Sequence, residues 1–232
     1  MKAPGRAIVV SLSGIALGLL LAAGSVVPSL ASAPSRVVSH GPSTRHAVAL
    51  TFDDAWDPPA TRTIFDILRT ANAPATFFPV ADGVARDRAL WRTIANAGYP
   101  IGNHSVSHPD LTTLGTGLLV NEIASARRTI EGAIGHPMAP LLRPPYGLLD
   151  DRVRRVADDL GFPTLVLWDV ASSDWADPDP AVVVSRSLAG SDGSIVLLHV
   201  GPASTIAALP SIIAGYRSRG FELVTIGDLL GE

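Results

Sequence analysis

The feature that most constrains the fold is a regular alternation of short apolar runs with longer stretches of helical periodicity. The apolar runs, which predict strands, cover residues 47–52, 75–80, 99–103, 141–143, 164–168, 194–199 and 222–225. Between them, apolar residues recur at helical spacing over residues 61–70, 89–97, 118–134, 150–160, 180–188 and 205–219. About seven strands that are apolar on both faces and alternate with helices predict a parallel sheet covered by helices.

The ends of these strands favour a closed barrel over an open sheet. A set of polar residues stands at or just beyond the strand ends, namely Asp53, Asp54, His104, Arg143, Asp174 and His199. A barrel brings the C-terminal ends of all its strands to one rim, whereas an open sheet can hold its first and last strands far apart. The sequence therefore predicts an α/β barrel with these side chains around one rim.

The composition limits the kinds of site that the chain can form. No cysteine occurs among its 232 residues, which excludes disulfides, thiolate metal sites and cysteine nucleophiles. The net charge of −3 gives no reason to expect nucleic acid or an anionic membrane surface as a partner. No glycine-rich phosphate loop follows the first strand, so nucleotide binding has no support. With 47% hydrophobic residues, the chain can form one compact domain, which we expect to be monomeric.

The N-terminal segment has the pattern of a secretory signal. Lys2 and Arg6 precede an apolar stretch over residues 7–27, and the small residues 31–33 fit a signal peptidase site. An uncleaved membrane anchor is the alternative, because the apolar stretch approaches the ~20 residues that span a bilayer. In both cases the rest of the chain is expected to be secreted or otherwise outside the cytoplasmic membrane. We therefore predict a signal peptide, a linker and a folded domain over residues 1–33, 34–45 and 46–232.

Two clusters at strand ends could together bind a divalent cation. Asp53 and Asp54 leave the first strand side by side, and neighbours on an extended chain point to opposite sides, so they can serve different roles. His104 and His108 are four residues apart, and on one helical turn both could reach the same ion. Two imidazoles and one carboxylate form a common open metal site. Alternatively, the aspartates cap a helix or turn and the histidine spacing is accidental.

A second group of residues could move protons. Arg143 precedes the Pro-Pro-Tyr-Gly segment at 144–147 and needs an anionic partner, for which Asp53 is the obvious candidate. His199 ends an apolar run, where an imidazole requires a hydrogen-bonding partner. Asp174 could orient this imidazole and hold its proton, as a general acid requires. Alternatively, Arg143 is a surface residue of a proline-rich loop and His199 is a satisfied core residue.

Five segments, in their order along the chain, resemble the motifs of the polysaccharide deacetylases, the NodB-homology enzymes of the fourth carbohydrate esterase family. They are residues 51–54, 104–108, 143–147, 174–175 and 197–199. The resemblance runs from about residue 48 to residue 230 and includes the ending at 221–225. It implies a distorted (β/α)7 TIM-like barrel of parallel strands, in agreement with the strand count reached from periodicity.

The resemblance also implies an activity and a cofactor. Members of this family hydrolyse N-acetyl groups of N-acetylglucosamine-containing glycans such as peptidoglycan, chitin or exopolysaccharides, and they release acetate. An acetylated polysaccharide is therefore the expected partner. The family's metal ligands fall on Asp54, His104 and His108, which are expected to hold Zn²⁺, with Co²⁺ or another divalent ion as the alternative.

By the same resemblance, five residues take part in the reaction. The general base falls on Asp53, which Arg143 would orient. The general acid falls on His199, which Asp174 would orient. The backbone amide of Tyr146 would help the metal to hold the oxyanion that forms when water attacks the acetyl carbonyl.

This sequence departs from the family's usual pattern mainly near the residues that are expected to contact the substrate. Trp175 and Leu197 would line a pocket for the acetyl methyl group, and Tyr146 would stand beside it. The sequence departs from the family's usual pattern at Ala55, Trp56, Ala171 and Val200. Trp56 is expected at the mouth of the site and could stack on a sugar ring.

Three other functions remain open on the sequence. An O-acetyl esterase acting on xylan or a similar polymer would share the chemistry but need His199 less, because an alkoxide leaves more readily than an unprotonated amine. A non-catalytic wall-binding homologue would keep the fold, although it would have no use for Asp53 and His199 together. A hydrolase of small cyclic amides, known among distant relatives, does not fit the export signal.

Overall fold

The structure is a computed structural model that describes residue 1 and residues 34–231. The predicted signal peptide, apart from Met1, lies outside the described residues, and its cleavage stays a prediction. None of the helices in the described part of the chain has both the length and the apolarity needed to cross a bilayer.

The strands and helices alternate along the chain as the periodicity predicts. The strands are β1 (Arg36–Val38), β2 (Ala47–Asp54), β3 (Thr76–Pro79), β4 (Leu141–Leu142), β5 (Thr164–Val166), β6 (Val170–Ala171), β7 (Ile195–Val200) and β8 (Glu222–Val224). The helices are α1 (Pro58–Thr70), α2 (Ala81–Arg86), α3 (Arg88–Asn96), α4 (Thr116–Ile134), α5 (Asp151–Asp159), α6 (Pro180–Ser187), α7 (Ala203–Ser218) and α8 (Ile226–Leu230). Short 3₁₀ turns lie at Leu111–Thr113, Pro145–Gly147 and Asp174–Ala176.

The strands form two sheets in which every ladder between named strands is parallel. One sheet has the order β1-β5-β4, and the other has the order β3-β2-β7-β6, with β8 also paired to β2. In the second sheet, Asp53 of β2 lies opposite His199 of β7. Parallel pairing brings the C-terminal ends of both strands to the same edge, which places these two residues next to each other.

Two links connect the sheets. Residue Ile101 bridges to Phe77 of β3, and Asn103 bridges to Leu142 of β4, so the chain at 101–103 links the two sheets on one side. On the other side, only residues 167–169 separate β5 of the first sheet from β6 of the second. The parallel α/β fold is confirmed, and the succession of neighbours is that of a distorted barrel.

The structure differs from the prediction in how the third strand is built. A full strand was expected over 99–103, but single bridges replace the ladders there. Gly102 lies so close to the ring of Phe78 that a Cβ at this position would be 2.5 Å from a ring carbon. The chain at this point runs parallel to β3 and β4 but pairs with each through a single bridge, close against the core, and a period-two pattern cannot report this.

The predicted linker over residues 34–45 is wrong for three of its residues. Arg36–Val38 form β1, which pairs with β5. The preceding residue, Ser35, is buried, and its hydroxyl donates to the carbonyl of Phe162 at 2.7 Å. The first two residues of β1 are exposed, so this strand has no buried apolar run of the kind that marks β2 or β7.

The strand that leads to the site is buried along nearly its whole length. In β2, every residue from Ala47 to Asp53 is buried, and only the final residue, Asp54, is partly exposed. Phe52 of this strand stacks on Phe77 of β3, with ring centroids 5.5 Å apart. Packing on both faces fixes the direction of β2 and therefore the position of the two carboxylates at its end.

Candidate active site

The residues that the motifs single out line one pocket at the rim formed by the C-terminal strand ends. Its volume is about 470 Å³. It is lined by Asp53, Asp54, His104, His108, Tyr146, Trp168, Trp175, Leu197 and His199. A larger groove of about 730 Å³ lies between α1 and α7 but contains none of these residues. The chemistry therefore points to the smaller, rim pocket as the functional one.

Three side chains on one side of the pocket could hold a metal ion. The Oδ1 atom of Asp54 lies 3.7 Å from Nε2 of His104 and 3.5 Å from Nε2 of His108. One ligand atom from each residue lies within 4.8 Å of the others. The same Oδ1 atom is buried and has no hydrogen-bond partner among the described residues. Such an atom is costly to bury, and a divalent cation bound by these nitrogen and oxygen donors would compensate for this cost.

The state of His104 fits this interpretation. Its side chain is 2% exposed, and burial lowers its pKa to about 3, so the imidazole is neutral. Nδ1 lies 2.7 Å from the carbonyl oxygen of Arg143, which makes Nδ1 the protonated nitrogen. Nε2 is then left as an unprotonated atom that faces Asp54 and His108. A histidine that donates one N–H to a carbonyl and offers its other nitrogen is the usual arrangement of a metal ligand.

The two histidines do not lie on a helical turn. Residues 104–108 form an irregular loop, here named the histidine loop, which corrects the prediction that the spacing reflects one turn of helix. Ser105 and His108 have positive φ angles of 66° and 64°. Asp54 and Tyr146 also have positive φ angles, of 73° and 60°. Residues other than glycine adopt this region rarely, and surrounding contacts must hold them there.

A buried ion pair stands behind the metal ligands. Arg143 Nη1 donates to Asp53 Oδ1 at 2.6 Å and to the hydroxyl of Thr51 at 2.8 Å. Its Nε donates to the carbonyl of Val166 at 3.1 Å, and the guanidinium lies over the ring of Phe78. Burial raises the pKa of Asp53, against the lowering effect of the Arg143 charge. The arginine thus fixes one oxygen of Asp53 and leaves the other, Oδ2, toward the pocket, 3.7 Å from His104 Nε2.

The opposite side of the pocket holds a histidine–aspartate pair. His199 Nδ1 lies 2.7 Å from Asp174 Oδ1, and the backbone N–H of His199 donates to Asp174 Oδ2 at 2.8 Å. The hydroxyls of Ser172 and Thr205 also donate to this carboxylate, at 2.8 Å and 2.6 Å. Burial alone would lower the pKa of His199, but the hydrogen bond to Asp174 and the negative charge of Asp53 outweigh it and raise the pKa. An imidazole held in this way can keep a proton and give it to a leaving group.

Apolar and aromatic side chains complete the pocket. Leu197 is 6% exposed, whereas Tyr146 and Trp175 are 62% and 69% exposed at the rim. Trp168 also lines the pocket, although sequence reasoning did not select it. The available signal was a tryptophan at the end of the predicted strand 164–168. The pocket can therefore enclose a small apolar group beside its polar atoms.

The structure does not bring Trp56 into this pocket. Its ring is not among the lining residues, and the guanidinium of Arg86 lies 5.8 Å from the ring centroid. The same guanidinium donates to the carbonyl of Trp56 at 3.1 Å. Sugar stacking by Trp56 thus stays a prediction that these contacts do not support.

The comparisons with known proteins agree with this geometry. The family model described as polysaccharide deacetylase matches residues 40–165. A peptidoglycan-N-acetylglucosamine deacetylase of Listeria monocytogenes is 34% identical over 190 residues, which cover 82% of this chain and 40% of that protein. This chain thus spans about two fifths of the length of that relative. A peptidoglycan-N-acetylglucosamine deacetylase of Bacillus cereus is 33% identical over 194 residues, which cover 82% of this chain and 90% of that one.

Among solved structures, a pseudoenzyme of carbohydrate esterase family 4 from Bacillus anthracis is similar to this chain. The TM-score is 0.79 at 29% identity, and the match covers 85% of this chain and 69% of that one. A fold of this kind is thus compatible with both active and inactive proteins. The side chains in the pocket, rather than the fold, must decide which of the two this chain is.

Proposed function

Because the chain belongs to the polysaccharide deacetylase family, we propose that it is a secreted, metal-dependent hydrolase that removes N-acetyl groups from N-acetylglucosamine-containing glycans. The observation that carries the proposal is the pocket itself. It holds the Asp54, His104 and His108 cluster on one side and the Asp174–His199 pair on the other, around an apolar space. The names of the bacterial relatives support peptidoglycan, chitin or a related polymer as the substrate class.

The proposed cofactor is a divalent ion, with Zn²⁺ as the first candidate and Co²⁺ as an alternative. Asp54, His104 and His108 would hold it through one carboxylate oxygen and two imidazole nitrogens. When bound, such an ion polarises a carbonyl oxygen and makes water more acidic. The unpaired Oδ1 of Asp54 and the neutral state of His104 support this assignment.

The carboxylate of Asp53 is the proposed general base. Arg143 holds its Oδ1, so Oδ2 can accept a proton from the water that attacks the acetyl carbonyl carbon. The backbone N–H of Tyr146 is the proposed donor to the oxygen on which negative charge then develops. One donor of this kind is worth about 3 kcal/mol of transition-state stabilisation.

The imidazole of His199 is the proposed general acid. It donates a proton to the amide nitrogen as the C–N bond breaks, because an unprotonated amine would be a poor leaving group at neutral pH. The products are acetate and a free amino sugar, and the water supplies the oxygen that acetate gains. The raised pKa of His199 favours the protonated form that this step needs.

The remaining pocket residues are the proposed contacts to the sugar and the acetyl group. Leu197 and Trp175 would surround the methyl group, and Trp168 would form a further wall. Trp175 and Tyr146 are exposed on the rim, where aromatic faces can pack against a sugar ring. Glycans of the cell envelope lie outside the cytoplasmic membrane, which is consistent with the predicted signal peptide.

The test is acetate release by the purified protein from a panel of N-acetylated glycans, with the metal ion present and after treatment with a chelator. We expect acetate and free amino groups in equal amounts, loss of both after chelation, and recovery when Zn²⁺ or Co²⁺ is returned. Release from O-acetylated xylan but not from N-acetylated glycans would instead favour the esterase. A metal-loaded protein that releases no acetate from any of them would be a non-catalytic homologue.

A further inference from the structure

The histidine loop is held on one side by a carboxylate that does not line the pocket. Glu122 lies in α4, and its Oε2 accepts the backbone N–H groups of Val106 at 2.9 Å and Ser107 at 3.1 Å. Its Oε1 accepts the hydroxyl of Ser107 at 3.1 Å. Both of these residues lie between His104 and His108. Three hydrogen bonds to one carboxyl group thus fix the middle of the segment that carries two proposed metal ligands.

The other side of the histidine loop is held by backbone N–H groups at the start of α2. The backbone N–H of Val80 donates to the carbonyl of Asp54 at 3.0 Å. The next two N–H groups donate to the histidine loop, from Ala81 to the carbonyl of Ser105 at 3.0 Å and from Asp82 to that of Val106 at 3.1 Å. The same short segment therefore contacts both the turn at Asp54 and the histidine loop. Two of the loop's carbonyl groups are thus bound by α2 and two of its N–H groups by α4. The N–H groups of Ser105 and His108 donate locally, to Asn103 Oδ1 and Ser105 Oγ.

The loop needs this support because its own conformation is unfavourable. Ser105 and His108 have positive φ angles, and neither residue is a glycine. Such residues persist only when surrounding contacts determine their conformation. The local hydrogen bonds at Ser105 and His108 are supplemented by the bonds from α2 and to Glu122 of α4.

We propose that Glu122 is a positioning residue for the metal site: it holds the histidine loop so that His104 and His108 face Asp54 Oδ1. This inference rests on the proposed metal site. The three hydrogen bonds to the loop and the bonds from α2 on its opposite side carry the argument. Contacts of this kind around metal ligands change metal affinity by about 10- to 100-fold when they are removed.

The experiment compares metal binding by three variants of the full chain. Glu122→Ala removes all three acceptor contacts. Glu122→Gln keeps an oxygen for the two N–H groups, and its amide can donate to Ser107. Glu131→Ala is the matched control, because Glu131 lies in the same helix and its carboxylate accepts the backbone N–H of Met138, away from the pocket. The readouts are the Kd for Zn²⁺ from competition with a chromophoric chelator and the visible spectrum of the Co²⁺ form.

We expect Glu122→Ala to weaken Zn²⁺ binding by about 10- to 100-fold and to alter the Co²⁺ spectrum, with Glu122→Gln close to wild type and Glu131→Ala unchanged. Wild-type affinity and an unaltered spectrum in Glu122→Ala would overturn the proposal. A loss of Zn²⁺ affinity in Glu122→Gln as large as that in Glu122→Ala would also count against the proposal. If Glu122→Ala does not fold, Glu122→Gln still allows this test. Failure of the wild-type protein to bind metal would instead reject the metal site itself.

Discussion

The two sides of the pocket satisfy their polar atoms in different ways. On the His199 side, the carboxylate of Asp174 accepts four hydrogen bonds, two from His199 and one each from Ser172 and Thr205. On the opposite side, Oδ1 of Asp54 has no hydrogen-bond partner among the described residues, and a ring nitrogen of each nearby histidine faces it. The protein alone completes the first arrangement, whereas the second offers its donor atoms to a cation.

This difference indicates that the two sides of the pocket have different chemical roles. A carboxylate with all its hydrogen bonds made holds a neighbouring imidazole in one orientation and favours its protonated form. A carboxylate oxygen with two imidazole nitrogens 3.5–3.7 Å away is arranged for a cation. In the proposed mechanism one side keeps a proton and the other binds a metal ion, so a change on one side is expected to leave the other side unaltered.

The largest effect is expected from removing a metal ligand. Asp54→Ala and His104→Ala should lose bound metal and fall to the background rate together, because both residues are proposed to hold the same ion and its Lewis-acid contribution is several kcal/mol. Metal content by elemental analysis and acetate release are measured on the same samples. Stoichiometric metal in either variant would contradict the assignment of its ligand.

A smaller loss of activity, without loss of metal, is expected from Asp53→Asn. The amide still accepts a hydrogen bond from Arg143 but cannot take a proton from water, so turnover should fall by about 10²- to 10⁴-fold. Metal content and the thermal unfolding midpoint of the metal-loaded protein serve as controls for an intact site. Turnover at the wild-type rate would remove Asp53 from the role of base.

The smallest effect, and one that depends on pH, is expected from Asp174→Asn. The two donors to Oδ2, the backbone N–H of His199 and the hydroxyl of Thr205, favour an amide whose NH₂ group faces His199 Nδ1. This orientation disfavours the protonated imidazole and lowers its pKa from the raised value of the wild type. Because the acid works in its protonated form, activity should decline at a lower pH than in the wild type. We expect a loss of about tenfold or more at the alkaline end, with metal binding unchanged.

The pH profile of kcat/KM for wild type and Asp174→Asn provides the measurement. An alkaline limb at the same pH in both proteins would show that Asp174 does not control the protonation of His199. A simultaneous loss of metal would show that the two sides of the pocket are not independent, which would contradict their separate chemical roles.

Much of the fold and of the site can be predicted from the sequence because the relevant signals are local. Burial of β2 on both faces gives a continuous apolar run, and the run ends where Asp53 and Asp54 appear. Residue types alone select the nitrogen and oxygen donors of the proposed metal site. The family resemblance then relates five motifs to one site, although tens of residues separate them along the chain.

Other features are invisible to local patterns. The strand β1 is exposed at two of its three residues and so has no apolar run, and the six-residue helix α2 is too short for periodicity to reveal. The prediction of a helical turn at the two histidines was wrong, because their spacing fits both a helix and the irregular loop that the structure contains. Trp168 and Glu122 have no motif of their own, and only their contacts show where they act.

The sequence by itself determined a parallel α/β chain with a carboxylate and two imidazoles suited to one cation, since periodicity and donor chemistry are properties of neighbouring residues. Only the tertiary structure decided how those atoms meet. Arg143 and Asp53 are 90 positions apart in the chain, and their contact exists because separate strands end at the same rim. The histidine loop has left-handed backbone angles at two residues other than glycine, and α2 and α4 hydrogen-bond to it from both sides. Forces between distant segments set such geometry, and no local stretch of residues encodes it.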